Sequence, residues 1–135
     1  MRISRQRITI INIRKRSLDN INMKLQWLGS SLGLFNLRDK DKSCFRIFIE
    51  VIKSAKGKEP LSSDEIAYRL NLSRGTVIHH INKLIEAGIV VPEGKKYTLR
   101  TDNLSSVIDE IEKDISRTCE ELKSLAEDID KDIGL

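Results

Sequence analysis

The chain has 135 residues, room for one compact domain with an extension or two, which excludes a multi-domain enzyme. At 39% hydrophobic, 33% charged and 4% aromatic it is foldable, helix-leaning and strongly solvated rather than disordered. Its net charge of +4 is unevenly spread: residues 1–58 balance at +10, residues 59–100 at +1 and residues 101–135 at −7, so one end attracts anions and the other repels them.

No window approaches about 18 uninterrupted apolar residues, and the basic start Met1-Arg2-Ile3-Ser4-Arg5 leads into no apolar signal core, so neither a membrane span nor export is expected. Cys44 and Cys119 stand far apart with no second pair beside either. Neither a disulfide framework nor a four-cysteine zinc site fits that count, and a reducing cytoplasm is expected.

Residues 1–40 read as a basic extension. Within it, Arg7-Ile8-Thr9-Ile10-Ile11-Asn12-Ile13-Arg14 is rich in β-branched residues and predicts a strand. Ser17 is placed to cap a helix carrying Leu18, Ile21, Leu25 and Leu28, which Gly29-Ser30-Ser31-Leu32-Gly33 interrupts. From about Asp41 to Ala55 a second helix repeats Phe45, Phe48, Ile49 and Ile52, with Ile47 and Val51 on an adjoining face. Apolar over so much of its circumference, it should be buried on more than one side. Cys44, beside Phe45, is expected to be a buried thiol.

Residues 61–100 carry the most information. Ser62 or Ser63 can cap a short helix with Glu65 as reciprocal partner, and Ile66, Ala67 and Leu70 point inward. Asn71 stands where a tight turn needs positive φ, Leu72 plugs the turn, and Ser73 caps a second helix through Val77, Ile81, Leu84 and Ile85 to Gly88. This is helix, short turn, helix. Arg74, Thr76, His79, Asn82 and Lys83 lie off its apolar stripe. Ile89-Val90-Val91 and Tyr97-Thr98-Leu99-Arg100 then flank Pro92-Glu93-Gly94-Lys95-Lys96 as a hairpin with a basic tip.

In that order, over about residues 42–100, the chain resembles ArsR-type and related prokaryotic winged-helix regulators. The segment LSRGTVIHHINKLIEAGIV is similar to their recognition helix and its exit into the wing, including the Glu86-Ala87-Gly88 ending. The resemblance implies a winged helix-turn-helix domain over residues 41–100, with the second helix in the roughly 12 Å wide major groove of duplex DNA. Ser73, Arg74, Gly75, Thr76, His79, Asn82 and Lys83 are then the candidate DNA-binding residues of the helix. Arg74 is the first choice for reading a guanine, Lys83 suits a phosphate, and Gly75 permits close backbone approach. Lys95, Lys96 and Arg100 of the wing would hold the DNA backbone.

Metal-sensing members of that family use cysteine or His/Asp/Glu clusters on the helix before the recognition helix or on the terminal helix. Here the former has no Cys or His and the latter offers only Cys119. His79 and His80, adjacent on a helix, project about 100° apart and make a poor ligand pair. No metal or other cofactor is expected.

Residues 101–135 read as a long amphipathic helix. Ile108, Ile115, Leu122 and Ile129 recur every seventh residue, interleaved with Leu104, Ile111 and Leu125 and with Thr118 in the remaining slot, a coiled-coil pattern. A helix of about 45 Å exceeds what so small a domain can cover. These seven apolar residues are therefore candidate dimerisation contacts with the same helix of a second subunit, the alternative being that the helix folds back onto its own N-terminal helix.

No phosphate-cradling loop, nucleophile elbow or metalloprotease motif is present, and the carboxylates do not converge with a base, so a non-enzyme is expected. The fold expected is mainly α with a small β-hairpin: a winged helix-turn-helix domain plus a long C-terminal dimerisation helix. The function expected is a homodimeric, sequence-specific regulator of transcription that binds double-stranded DNA. A winged-helix module that binds protein, or an RNA-binding protein using the basic N-terminus, stays open as the alternative.

Overall fold

The capping chemistry between residues 61 and 74 folds as its sequence dictates. Ser62 Oγ accepts from the Glu65 amide while Glu65 returns to the Ser62 amide, a capping box. Asn71 closes the helix in the left-handed region at φ 55°, and Ser73 accepts from the Thr76 amide to start the next.

The protein is described as a computed structural model covering residues 5–15, 17–35 and 42–135. In chain order these form α1 (Ile21–Ser31), α2 (Ser43–Lys56), β1 (Leu61–Ser62), α3 (Ser63–Leu70), α4 (Arg74–Glu86), β2 (Val90–Glu93), β3 (Lys96–Leu99) and α5 (Leu104–Ile133). The architecture is mainly helical with a small antiparallel sheet ordered β1-β3-β2, that of a winged helix-turn-helix domain with a long C-terminal helix. Residues Gly94 and Lys95 form the two-residue turn between Glu93 and Lys96. Gly94 takes φ +62°, the positive φ that this kind of hairpin wants first. β1 is an addition to the expected hairpin; it pairs Leu61 with Tyr97 and Ser62 with Lys96.

The core lies between α2, α4 and the sheet. Ile47, Phe48 and Val51 of α2 are fully buried, as are Ile66 of α3, Val77, Ile81 and Leu84 of α4, and Val90 of β2. α2 packs on both α4 and β3, which is why it is apolar on two faces. Cys44 is buried and takes no part in a disulfide.

Three local expectations are corrected. The strand over Arg7–Arg14 is absent: residues 5–15 have no regular secondary structure. Their amides go instead to the unfilled carbonyls at helix ends, Arg7 N–H to Glu86 O at 2.8 Å and Ile11 N–H to Ser31 O at 2.7 Å. α1 starts at Ile21 with Asn20 as its cap, since Asn20 Oδ1 accepts from the Met23 amide while Ser17 Oγ donates to Asp19. α5 divides its apolar stripe. Val107 and Ile111 are buried in the protein's own core and Leu104 and Ile115 pack against it, whereas every residue from Ser116 onward is exposed.

The N-terminal tetrapeptide and the expected helix start at Asp41 lie outside the described residues. Among the described residues, no helix is long and apolar enough to cross a membrane.

Candidate nucleic-acid interface

The second helix of the pair is set against the first by local constraints. Leu72 N–H donates to Ala67 O at 3.0 Å across the turn, and the Arg46 guanidinium of α2 donates to Leu70 O at 2.6 Å. That bond fills one of the orphan carbonyls at the end of α3 and ties it to the core helix. Burial of Val77, Ile81, Leu84 and Ile85 then fixes the rotation of α4 about its axis, turning Gly75, His79 and Asn82 to solvent.

The first turn of α4 holds no acidic residue, so its free amides and positive dipole end remain available to an anion. A Cβ on Gly75 would meet nothing within 4 Å, which leaves the backbone there open to close approach. Ser73 Oγ also donates to Thr76 Oγ1 at 2.8 Å, so Thr76 is partly engaged by the cap.

Arg74 departs from the open face. It leans toward α3, its Nε 3.6 Å from Asp64 Oδ1, with both side chains more than two-thirds exposed. A solvated pair of that length is worth little and yields readily to a better acceptor. On the wing, Lys95 is exposed at the turn, and Lys96 Nζ stands 3.4 Å from Glu65. Glu65 is held below the usual carboxylate range by its Ser62 backbone and side-chain hydrogen bonds, with Lys96 adding to them.

Arg100 is placed elsewhere than on a DNA-facing wing. Its Nη1 lies 2.6 Å from Asp114 Oδ2, and the Arg100 side chain is only 24% exposed. Asp114 is buried on α5 and also accepts from Gln6 Nε2 at 2.8 Å and Arg117 Nη2 at 2.9 Å. Those bonds, Arg100's first, outweigh burial and hold Asp114 down at about 2; in return Asp114 raises Arg100 further. The cluster closes over Gly88, whose φ of +81° and crowded surroundings favour glycine: a Cβ there would come within 2.7 Å of Gln6 Nε2. Arg100 thus ties the end of the wing to α5, and Asp114 ties α5 to the N-terminal arm.

The basic N-terminal extension of the sequence stands at this site, and its placement against α4 is what sequence reasoning missed. Arg7 and Thr9, with Gly33 and Leu34, form a cleft of about 430 Å³ against His79, Asn82, Lys83 and Glu86 of α4. The arm therefore walls one side of the later turns of α4, and Arg7 and Lys83 both line the cleft. The available signal was the run Arg5, Arg7, Arg14 and Lys15 with no acid among residues 5–15.

Residues 41–93, from α2 through β2, match a family model described as a helix-turn-helix domain. The chain carries a helix-turn-helix domain. That match supports a winged helix-turn-helix regulator and stops before β3 and α5. No curated protein matches the chain, and no solved structure does. Within the described part of the molecule, no three His, Cys, Asp or Glu side chains gather as a metal ion would require; His79 and His80 stand edge to face, their ring centroids 5.1 Å apart.

Proposed function

We propose that the protein is a transcriptional regulator of the ArsR-like winged-helix kind that binds double-stranded DNA sequence-specifically as a homodimer. α4 enters the major groove, and the protein acts by occupying its site rather than by catalysis, in the cytoplasm. The observation that carries the reading is the first turn of α4. It is free of acidic residues, capped by Ser73, open at Gly75 and flanked by Arg74 and Thr76. That is the chemistry a helix needs to present to phosphates and base edges.

His79 and Asn82, the next exposed residues on the helix, follow it into the groove. Lys83 and the arm's Arg7 suit the flanking phosphates, with Lys95 and Lys96 taking the backbone on the wing side. The dimer rests on the outer half of α5, where Leu122, Leu125 and Ile129 lie uncovered along one stripe. Ile108 is 37% exposed, while Leu104, Ile111 and Ile115 contribute first to the protein's own core.

Selection of bound sequences from a random duplex pool, at a salt concentration that suppresses non-specific phosphate binding, tests the reading. The expected product is a palindrome with half-sites about one helical turn apart. An unenriched pool would transfer the function to a protein or RNA partner.

A further inference from the structure

Two unpartnered surfaces of this chain lie end to end. One is the outer half of α5, where Leu122 is 62% exposed, Leu125 58% and Ile133 65%. The other is a groove of about 500 Å³ between the arm and α5, lined by Gln6, Arg7, Ile8 and Ile10 on one side and by Ile115 and Thr118 on the other. Ile115 and Thr118 belong to the same stripe as Leu122, Leu125 and Ile129, so the stripe runs out of the groove and along the bare helix. Ile10, at the rim, is 61% exposed.

Charge decides what fits there. The arm over residues 5–15 carries Arg5, Arg7, Arg14 and Lys15 and no acid, whereas residues 120–132 carry Glu120, Glu121, Glu127, Asp128, Asp130 and Asp132 against Lys123 and Lys131. A parallel pair of α5 helices would set two acidic tails and two negative dipole ends side by side. An antiparallel pair instead brings each acidic tail, with its negative helix end, to the other subunit's basic arm.

We propose, building on the dimer inferred above, that the two α5 helices cross antiparallel about Leu122 and Leu125 and that each tail seats in the partner's arm groove. Leu122 packs on the partner's Leu125, Thr118 on the partner's Ile129, and the groove at Ile8 and Ile115 receives the partner's Ile133. The arm is then a receptor for the second subunit as well as a wall beside the recognition helix. Cys119, at the edge of the groove, comes opposite the partner's Ala126.

Cross-linking reads the orientation directly, because Cys119 is exposed and Cys44 is buried. With Ala126→Cys in the full chain and oxidised glutathione as oxidant, the expected product is a covalent dimer. Peptide mass spectrometry should find its disulfide between Cys119 and the introduced thiol. Arg5→Glu with Arg7→Glu should weaken association roughly tenfold at low salt in sedimentation, and Asp128→Arg with Asp130→Arg in the same chain should restore it. A dimer that gives only like-to-like disulfides, or none, overturns the antiparallel seating while leaving the dimer standing. Association unmoved by the arm charges overturns the arm as the dock. A chain that sediments as a monomer removes the dimer and this arrangement with it.

Discussion

Arg74 is held 3.6 Å from Asp64 by a solvated pair, and that pair must open before the guanidinium can reach a base. Arg74→Ala is therefore expected to cost about 1–3 kcal/mol of discrimination at one base position. Fluorescence anisotropy on duplexes substituted base by base checks this; an equal loss on every duplex would make Arg74 a phosphate contact. Asp64→Ala should move affinity the other way, by a few-fold at most, because it frees Arg74 and removes a negative charge near the DNA. Asp114 makes a second residue-scale case. Its carboxyl titrates at about 2 in the folded protein against 3.8 unperturbed, so on acidification the unfolded chain takes up the proton first. The contribution, about 2 kcal/mol, is complete at neutral pH, declines from about pH 5 as the unfolded carboxyl protonates, and is gone once the folded one does near pH 2. Urea unfolding of the wild type and of Asp114→Asn should differ at pH 7 and converge toward pH 2.5. A gap independent of pH would mean that shape, not charge, makes Asp114 matter.

At the scale of elements, α5 behaves as two helices in one. Its inner half is fastened by Val107, Ile111 and the Asp114 cluster, and every residue of its outer half is exposed. Leu122→Lys with Leu125→Lys should thus leave the thermal unfolding of the domain core nearly unchanged while weakening dimerisation by at least about a hundredfold, two apolar side chains being worth roughly 1.5–3 kcal/mol each. Sedimentation and circular dichroism on the same sample separate the two effects. What could be read of these elements in the sequence follows how local their causes are. The α3 cap, the Asn71 turn and the Ser73 cap are fixed within four residues of themselves, and each stands where the residue types place it. β1 is two residues long and exists only through β3, more than thirty positions away; no local pattern announces it. The arm's β-branched run indicates extended backbone, but its amides bond helix ends rather than a neighbouring strand. The heptads of α5 continue unbroken through a point where the surroundings change from protein to solvent, so periodicity alone groups Ile111 with the candidate dimer contacts when it packs in the core of its own chain. Arg100 shows the same limit at the site. Its place on the wing points to DNA, and the competing signal, an aspartate set among Val107, Ile111 and Ile115, lies fourteen residues further on.

Over the whole molecule, the positive arm and helix-turn-helix domain sit at one end of the sequence and the negative helix at the other. In the proposed dimer that polarity draws the outer half of α5 to the partner's basic arm and so joins two domains. Joining matters energetically because the second half-site of a palindrome is then bound at an effective concentration set by the dimer rather than by the bulk solution. The dimer-breaking pair Leu122→Lys with Leu125→Lys touches no residue of the DNA-facing helix, so each monomer should still recognise one half-site. Its affinity for the full palindrome should fall by about two orders of magnitude or more. The slope of log affinity against log salt should fall to about half, since only half as many counterions are released per binding event. Titrations of wild type and variant on the selected palindrome between low and moderate salt measure both quantities at once. A variant with lower affinity but an unchanged slope would show that two copies still bind together on the DNA, and the joining role would then pass from the outer half of α5 to the DNA-bound domains themselves.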